Sequence, residues 1–218
     1  MRRALGFLGD WGVALLSLAY LLALGPLVPG FLTAPNLGNV VSNVLPLLAV
    51  ALGQTLVLVT GGIDLSVTAT VALASVAGAK VMTETGGAFP GNAAVGVAAM
   101  LAVGIGLGLV NGLAVARLRM PSFLATLAVM TFASGFAIWW TRSQGIAGLP
   151  ASFRALGGTT FGGAPFSLLV VVPLALLAHL LLSRTVFGRW LYAVGGNPRA
   201  ARVSGVPVER VLVLAYVA

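Results

Sequence analysis

Repeated apolar runs, most of them near the length that crosses a bilayer, are the feature that most constrains this chain. Seven runs cover residues 11–28, 40–59, 65–82, 93–116, 121–140, 166–182 and 211–218. A membrane-spanning helix needs roughly 20 apolar residues, so the last run is too short to cross by itself. Only 7% of the residues are charged, too few to cover a water-facing surface. The sequence therefore predicts an all-α, polytopic transmembrane helical bundle of about seven spans. We expect one domain over residues 1–218, incomplete at its C-terminus.

All basic residues except Lys80 lie outside the apolar runs, and their distribution predicts the orientation in the membrane. With the N-terminus inside, the inner segments hold nine arginines and the outer segments hold three cations, Lys80, Arg142 and Arg154. Cytoplasmic loops of membrane proteins carry an excess of Lys and Arg. We therefore expect a cytoplasmic N-terminus and a cytoplasmic segment at residues 184–210. The net charge of +8 is interpreted as a topology signal, not as a nucleic-acid-binding surface.

Residues 195–205 carry start and stop signals for one short helix within that cytoplasmic segment. Asn197 is a favourable N-cap residue, and Pro198 suits the first helical position. Gly205 can adopt the left-handed conformation that ends a helix. A helix of about two turns is marginal in water, so we expect it to pack on the rest of the protein.

Three polar side chains lie in or beside apolar runs and are candidates for a translocation path. Asp64 directly precedes the third run, so it is expected either to cap that helix or to face a cavity. Gln54 in the second run and Asn111 in the fourth need hydrogen-bond partners in lipid. Both are open to two interpretations, as hydrogen bonds between helices or as polar groups along a path. The glycines at 104, 108 and 112 predict close helix packing.

The sequence contains no recognisable catalytic set. It has no Cys and a single His, His179, so it predicts no metal site, and no Walker-type phosphate loop is present. We expect no cofactor and no enzymatic activity in this chain. A secondary transporter that uses Asp64 as an ion site is a less favoured alternative, because the chain has one candidate acid.

Three blocks of residues, in order along the chain, carry a resemblance to a known family. Residues 53–67, residues 111–127 and residues 185–205 resemble the conserved blocks of the ribose/sugar-type ABC importer permeases, within the branched-chain amino acid/sugar permease superfamily. This resemblance implies the membrane-spanning subunit of an ATP-driven importer for a monosaccharide such as ribose or a related sugar. Nucleoside importers have similar permeases, so a nucleoside is the alternative substrate.

The resemblance also implies partners and a location. These are a second permease copy, as a homodimer or heterodimer, a cytoplasmic ABC ATPase subunit and an extracytoplasmic sugar-binding protein, in the inner membrane of a bacterium. Residues 184–210 would be the coupling loop that contacts the ATPase. The alternative is a topology anchor that binds anionic lipid. Arg142 and Arg154 would dock the binding protein. The residues implied in coupling are Gly188, Arg189, Gly195, Gly196, Asn197, Ala200, Ala201, Arg202, Ser204 and Gly205.

Overall fold

A computed structural model describes residues 2–84, 91–158, 160–161 and 164–218. Its helices are α1 (Arg2–Leu27), α2 (Ala34–Val59), α3 (Val67–Glu84), α4 (Gly91–Ala116), α5 (Ser122–Thr141), α6 (Ala151–Gly158), α7 (Ser167–Arg184), α8 (Val186–Gly196), α9 (Pro198–Val203) and α10 (Val208–Val217). Two short strands, β1 (Thr160–Phe161) and β2 (Ala164–Pro165), pair antiparallel. The chain divides into two compact units, Met1–Val44 and Leu45–Ala218.

Each of the seven apolar runs coincides with a helix, so the predicted all-α, polytopic fold is confirmed. Within the described residues, four helical stretches are long and apolar enough to cross a membrane: Ala34–Val59, Ala93–Ala116, Ser122–Thr141 and Ser167–Arg184. The sequence also predicts a short helix around residues 151–156, which is present as α6. It predicts a loop at residues 83–92, most of which falls on residues 85–90, outside the described ranges. The chain is a multi-pass membrane protein.

One element boundary and one whole helix differ from the prediction, for identifiable reasons. Helix α2 begins at Ala34 and not near residue 40, because Pro35 lies in the first turn, where a missing N–H costs nothing. Helix α8 was not predicted at all. Its N-cap is Thr185, whose hydroxyl accepts from the Gly188 N–H at 3.1 Å, and its buried residues Gly188, Leu191 and Val194 recur at helical spacing.

The first unit contains α1 and the beginning of α2, joined by a compact turn. The Thr33 hydroxyl donates to the Gly30 carbonyl at 2.7 Å, and the Asn36 amide donates to the Phe31 carbonyl at 2.7 Å. Gly30 has a φ of +82°, a conformation that favours glycine. The turn thus satisfies its own polar groups locally.

In the second unit, α4 packs against α3 on one side and α10 on another. A Cβ at Gly108 would overlap the Tyr216 carbonyl oxygen, and one at Gly112 would lie 2.8 Å from the Val213 Cα. The predicted close packing is therefore confirmed at these two glycines, where α4 and α10 meet backbone to backbone. Gly104 has open space where its Cβ would be.

A separate apolar cluster links residues 184–210, the segment predicted to be cytoplasmic, to the membrane helices. It contains residues from α2, α8, α9 and α10: Leu56, Leu191, Val194, Ala201, Val208, Val211 and Ala215. Helix α8 also approaches α2 closely, since a Cβ at Gly195 would overlap the Val59 carbonyl oxygen. Residues 184–210 are therefore packed onto the second unit, as expected for a helix too short to be stable alone.

Candidate functional site

A cavity of about 340 Å³ in the second unit brings the three predicted path residues together. Gln54, Asp64 and Asn111 all line it, and its other lining residues include Thr70 of α3 and Tyr216 of α10. Gln54 and Asp64 are ten positions apart, but Asn111 comes from a later helix, and nothing in the spacing required it to meet the other two. The cavity is mostly apolar with a few polar groups, the usual character of a small-molecule site.

The cavity lies beside a short non-helical segment, residues 62–66, which connects α2 to α3. Unpaired backbone groups at membrane depth cost several kcal/mol, so each polar group here needs a partner. The Ile63 N–H donates to the Ser122 hydroxyl at 3.2 Å, and the Leu65 N–H donates to the Thr126 hydroxyl at 3.1 Å. Ser122 and Thr126 are four residues apart on α5, so they lie on one face of that helix. Their hydroxyls accept from alternate N–H groups of residues 62–66. We call these residues the extended segment.

Gln54 holds the other edge of the extended segment. Its Nε2 donates to the Asp64 backbone carbonyl at 3.2 Å. A carbonyl oxygen can only accept, so this bond fixes which end of the Gln54 amide faces the segment. The Gln54 Oε1 is buried and has no hydrogen-bond partner among the described residues.

Asp64, Ser66 and Asn111 form a chain of hydrogen bonds, which we call the polar chain. The Asp64 Oδ1 accepts from the Ser66 backbone N–H at 2.7 Å and from the Ser66 hydroxyl at 2.6 Å. The Asn111 Nδ2 donates to the Ser66 Oγ at 2.7 Å. Ser66 and Asn111 are each 1% exposed, so these two members of the polar chain are shielded from water, whereas Asp64 is half-buried.

The structure refines the prediction that Asp64 caps the third span. Ser66 directly precedes α3, and its carbonyl accepts from the Thr70 N–H at 2.8 Å, which is the first bond of the helix. Ser66 is therefore the N-cap residue, and Asp64 holds Ser66 in place from two residues upstream. The Asn111 prediction of hydrogen bonding between helices is confirmed, because Asn111 on α4 bonds to the residue that starts α3.

Sequence reasoning missed Ser66, Ser122 and Thr126 as members of this site. Their signal was weak because small hydroxyl residues in apolar helices usually bond to their own helix. Thr126 does this too, with its hydroxyl donating to the Ser122 carbonyl at 2.9 Å. The useful signal was the spacing of four between Ser122 and Thr126, which puts two hydroxyls on one face of a helix that follows a Pro.

At the predicted cytoplasmic end, the short helix has the predicted caps. The Asn197 Oδ1 accepts from the Arg199 and Ala200 N–H groups, both at 3.0 Å, and Pro198 occupies the first turn. Gly205 has a φ of +84°, as predicted for the residue that ends the helix. The local start and stop signals at 197, 198 and 205 are confirmed.

The residues implied in coupling divide into an exposed and a packed set. Ala201 is buried in the apolar cluster and Gly188 is buried in α8, so these two are not open to a partner. Gly195 lies against the Val59 carbonyl on one side and is exposed on the other. The other exposed members are Arg189, Gly196, Asn197, Ala200, Arg202, Ser204 and Gly205.

Three arginines line one cavity of about 410 Å³ beside α9. Arg119 comes from the turn between α4 and α5, and Arg199 and Arg202 come from α9. Within the described residues, Arg202 pairs with Glu209 at 3.7 Å, with both side chains about half exposed. Val203 at the edge of this cavity is 91% exposed, so an apolar side chain stands among the cations.

The predicted outer cations are only partly brought together. Lys80 and Arg142 line a cavity of about 820 Å³ with Trp139 and Trp140, and Lys80 also pairs with Glu84 at 3.0 Å. Arg154 lies exposed on α6, outside that cavity. The structure thus groups Lys80 with Arg142 and groups Arg119 with Arg199 and Arg202.

Comparison with known proteins adds a family and several relatives. The model of a family described as "Branched-chain amino acid transport system / permease component" matches residues 36–218. The autoinducer 2 import system permease protein LsrC of Enterobacter sp. (strain 638) is 38% identical over 203 residues, covering 91% of this chain and 57% of that protein.

Two further relatives are also import permease proteins. The ribose import permease protein RbsC of Escherichia coli (strain K12) is 34% identical over 208 residues, covering 93% of this chain and 63% of that protein. The LsrC protein of Salmonella typhi is 36% identical over 193 residues, covering 88% of this chain and 54% of that protein. The chain spans between 54% and 63% of the length of these relatives. No solved structure matches it.

Proposed function

Because the chain belongs to the branched-chain amino acid transport system permease component family, we propose that it is the membrane-spanning subunit of an ATP-driven importer. Its cargo is a monosaccharide such as ribose or a related small sugar. The ribose permease RbsC and the autoinducer 2 permease LsrC among its relatives support this class of cargo. ATP hydrolysis belongs to a separate ABC ATPase subunit.

The observation that carries this proposal is the link between the basic segment, residues 184–210, and the wall of the polar cavity. Ala201 of α9 packs in one apolar cluster with Val208, Val211 and Ala215 of α10, and Ala215 also lines the cavity. Protein interiors are close-packed and transmit displacement. A push on α9 from the cytoplasmic side therefore reaches a wall of the cavity through contiguous side chains.

The exposed face of α9 is the surface that contacts the ATPase in this proposal. Arg199, Ala200, Arg202 and Val203 are exposed on it. Ala200 allows close approach, and the arginines offer charge-assisted hydrogen bonds to carboxylates. A segment that only anchored topology would need basic residues but not a capped helix with a packed inner face.

The cavity lined by Gln54, Asp64 and Asn111 is the proposed translocation path. A path requires polar groups at membrane depth, and such groups are expensive unless they serve a function. The extended segment supplies non-helical backbone next to the cavity, an arrangement that transporters use at their substrate sites.

The outer cations complete the proposed assembly. Arg142 and Lys80, with the two tryptophans beside them, form a rim that suits carboxylates on an extracytoplasmic binding protein, and Arg154 on α6 adds a second point. Rim charges of this kind affect the association rate and its salt dependence. The importer works with a second permease copy in a bacterial inner membrane, with the N-terminus and residues 184–210 in the cytoplasm.

The test is uptake and ATP hydrolysis by the complete importer, with the full-length permease, its ATPase and its binding protein in lipid vesicles. Ala200→Trp is expected to weaken ATPase binding and uncouple hydrolysis from uptake of labelled ribose, because it puts a bulky side chain on the exposed face. Leu176→Trp, at an exposed position of α7 that lines neither of the cavities in this proposal, is the matched control. If Ala200→Trp assembles, hydrolyses and transports like the parent, the coupling role of α9 is wrong.

The same system distinguishes the alternative of an ion-coupled transporter. An ATP-driven importer loses uptake when the ATPase subunit is omitted. Uptake by the permease alone that follows a proton or sodium gradient, and that is abolished by Asp64→Asn, supports the secondary transporter instead.

A further inference from the structure

An apolar groove of about 500 Å³ lies between α2 and α7, and no member of the polar chain lines it. Its leucines are Leu52 and Leu56 of α2 and Leu174, Leu177, Leu180 and Leu181 of α7. Leu177 is 63% exposed and Leu180 is 50% exposed, so the groove is open along its side. Both helices are long and apolar enough to cross a membrane, and an open apolar groove between two such helices suits an aliphatic chain.

One end of this groove is polar. Thr185 directly follows α7 and is the one lining residue of the described groove with a polar side chain. Arg184 precedes it, and residues three, four or seven apart share a helix face, so Arg184 lies on the same face of α7 as Leu177 and Leu180. Arg184 is exposed and forms no ion pair with any described residue. A cation in the last turn of α7 complements the helix dipole, so Arg184 alone does not require an anion.

Arg189 approaches the same end of the groove from α8. Its N–H donates to the Thr185 carbonyl at 3.4 Å, and a Cβ at the preceding Gly188 would overlap the Leu181 carbonyl oxygen. The first turn of α8 therefore lies directly against the last turn of α7. Arg189 is exposed and has no ion-pair partner in the described part of the chain. The helix dipole disfavours a cation in a first turn, so an external anion is needed to offset this charge.

We propose that this groove binds one anionic phospholipid, with an acyl chain along the leucines and the headgroup phosphate on Arg184 and Arg189. Guanidinium groups form strong, often bidentate hydrogen bonds with phosphate, and basic pockets between membrane helices are typical sites for anionic headgroups. A zwitterionic lipid carries its own cation and binds more weakly. The inference goes beyond the proposed function, because α9 faces the ATPase there and the junction of α7 and α8 is given a different partner, the lipid.

The probe is a pair of photoreactive lipids, phosphatidylglycerol and phosphatidylcholine, each with a diazirine in one acyl chain. Equal trace amounts of both are present in phosphatidylcholine nanodiscs that contain the full-length permease. Crosslinks on the α7 peptide with Leu177 and Leu181 are quantified by mass spectrometry. Phosphatidylglycerol is expected to be favoured about 25-fold, since each of two cations near an anionic lipid contributes a factor of about five. High salt is expected to reduce this preference.

Arginine substitutions test the charged end of the site. Arg184→Gln and Arg189→Gln are each expected to lower the preference about fivefold. Arg210→Gln removes an exposed arginine of the same basic segment that does not line the groove, and it is expected to keep the preference. Because the two arginines lie on different helices, the test remains decisive if one of the two variants fails to fold.

Ala178→Phe tests the apolar part of the site. Ala178 lines the groove, so a phenylalanine there is expected to fill it, with a loss of crosslinks from both lipids. Ala175→Phe is the control, because Ala175 is also half-buried on α7 but lies outside the groove.

Equal crosslinking by the two lipids in the parent overturns the inference. So does an unchanged preference in both arginine variants, or a fall of the same size in Arg210→Gln. Crosslinks that disappear when the ATPase subunit is added show that the junction is an ATPase surface, which also overturns it. Because the basic assay needs neither ATP nor partners, normal uptake by the complete importer without lipid selectivity refutes this inference alone. Selective crosslinking without ATP-driven uptake refutes the proposed function alone.

Discussion

Helices α3 and α9 both begin beside a side-chain oxygen that accepts backbone N–H groups, but in opposite surroundings. At α9, the Asn197 Oδ1 accepts two N–H groups of the first turn by itself, on an exposed surface. At α3, the Asp64 Oδ1 accepts from Ser66 only. The rest of that start is held by Gln54, Ser122, Thr126 and Asn111 from three other helices.

The difference teaches what the solvent contributes at a helix start. Water can satisfy the remaining N–H and C=O groups at α9, so one local residue is enough. At membrane depth no water is available, and each group of the extended segment must find a protein partner. The α3 start is therefore a tertiary structure, whereas the α9 start is a local one. The following predictions test this contrast, beginning with the largest expected effect.

Thr126→Val should be the most damaging of these changes. Valine has nearly the same shape, but it leaves the Leu65 N–H without its acceptor at a position where Thr126 is fully buried. We expect a loss of about 2–3 kcal/mol in the free energy of unfolding, measured by denaturant titration in mixed micelles. The control is Thr131→Val on the same helix, where the hydroxyl is exposed and bonds only to its own helix. Equal effects of the two changes would contradict the assignment of Thr126.

Asp64→Leu should cost less, about 1.5–2 kcal/mol, because Asp64 is half-buried and supports the helix start through Ser66. Asp64→Asn should restore most of that loss, since the amide oxygen can accept from Ser66 as the carboxylate does. Unfolding titrations of both variants measure the difference. If Asn proves as damaging as Leu, the charge of Asp64 is needed for more than holding Ser66.

Asn197→Ala should cost about 1 kcal/mol, the typical value for an exposed N-cap. The effect should be confined to α9, where the Arg199 and Ala200 amides lose their acceptor. Hydrogen exchange of these amides should quicken while exchange in α3 stays as in the parent. Asn197→Ser, a substitution that keeps a cap, serves as control, and faster exchange throughout the chain would show that the α9 start is not local.

Arg202→Gln should have the smallest effect, about 0.5 kcal/mol or less. The Arg202–Glu209 pair is 3.7 Å long and exposed, and such pairs contribute little to stability. The measured loss should vanish in high salt. A loss above that of Asn197→Ala would mean that this surface pair stabilises α9 more than its cap does.

The same contrast explains what the sequence could predict. The apolar runs identify the helices because a bilayer imposes their length and composition, and the caps at Asn197, Pro198 and Gly205 were readable because each acts within a few residues. The bond from Asn111 to Ser66 joins residues 45 positions apart, and no local pattern specifies it. Helix α8 was missed for a different reason. Its capping Thr185 and buried Leu191 lie in the basic segment, which was interpreted as a loop between membrane spans.

Gly195 of α8 makes a backbone contact that cannot absorb a small displacement. Side chains that meet across an interface can absorb a small displacement by changing rotamer, but here the missing Cβ lets the backbone of α8 rest on the Val59 carbonyl at the end of α2. A backbone contact has no rotamer to change. Any movement of α8 toward α2 must therefore move the Val59 peptide, and with it the chain that leads through Gly61 into the extended segment. The contact at Gly195, a residue without a side chain, is in this sense the stiffest point between the basic segment and the cavity.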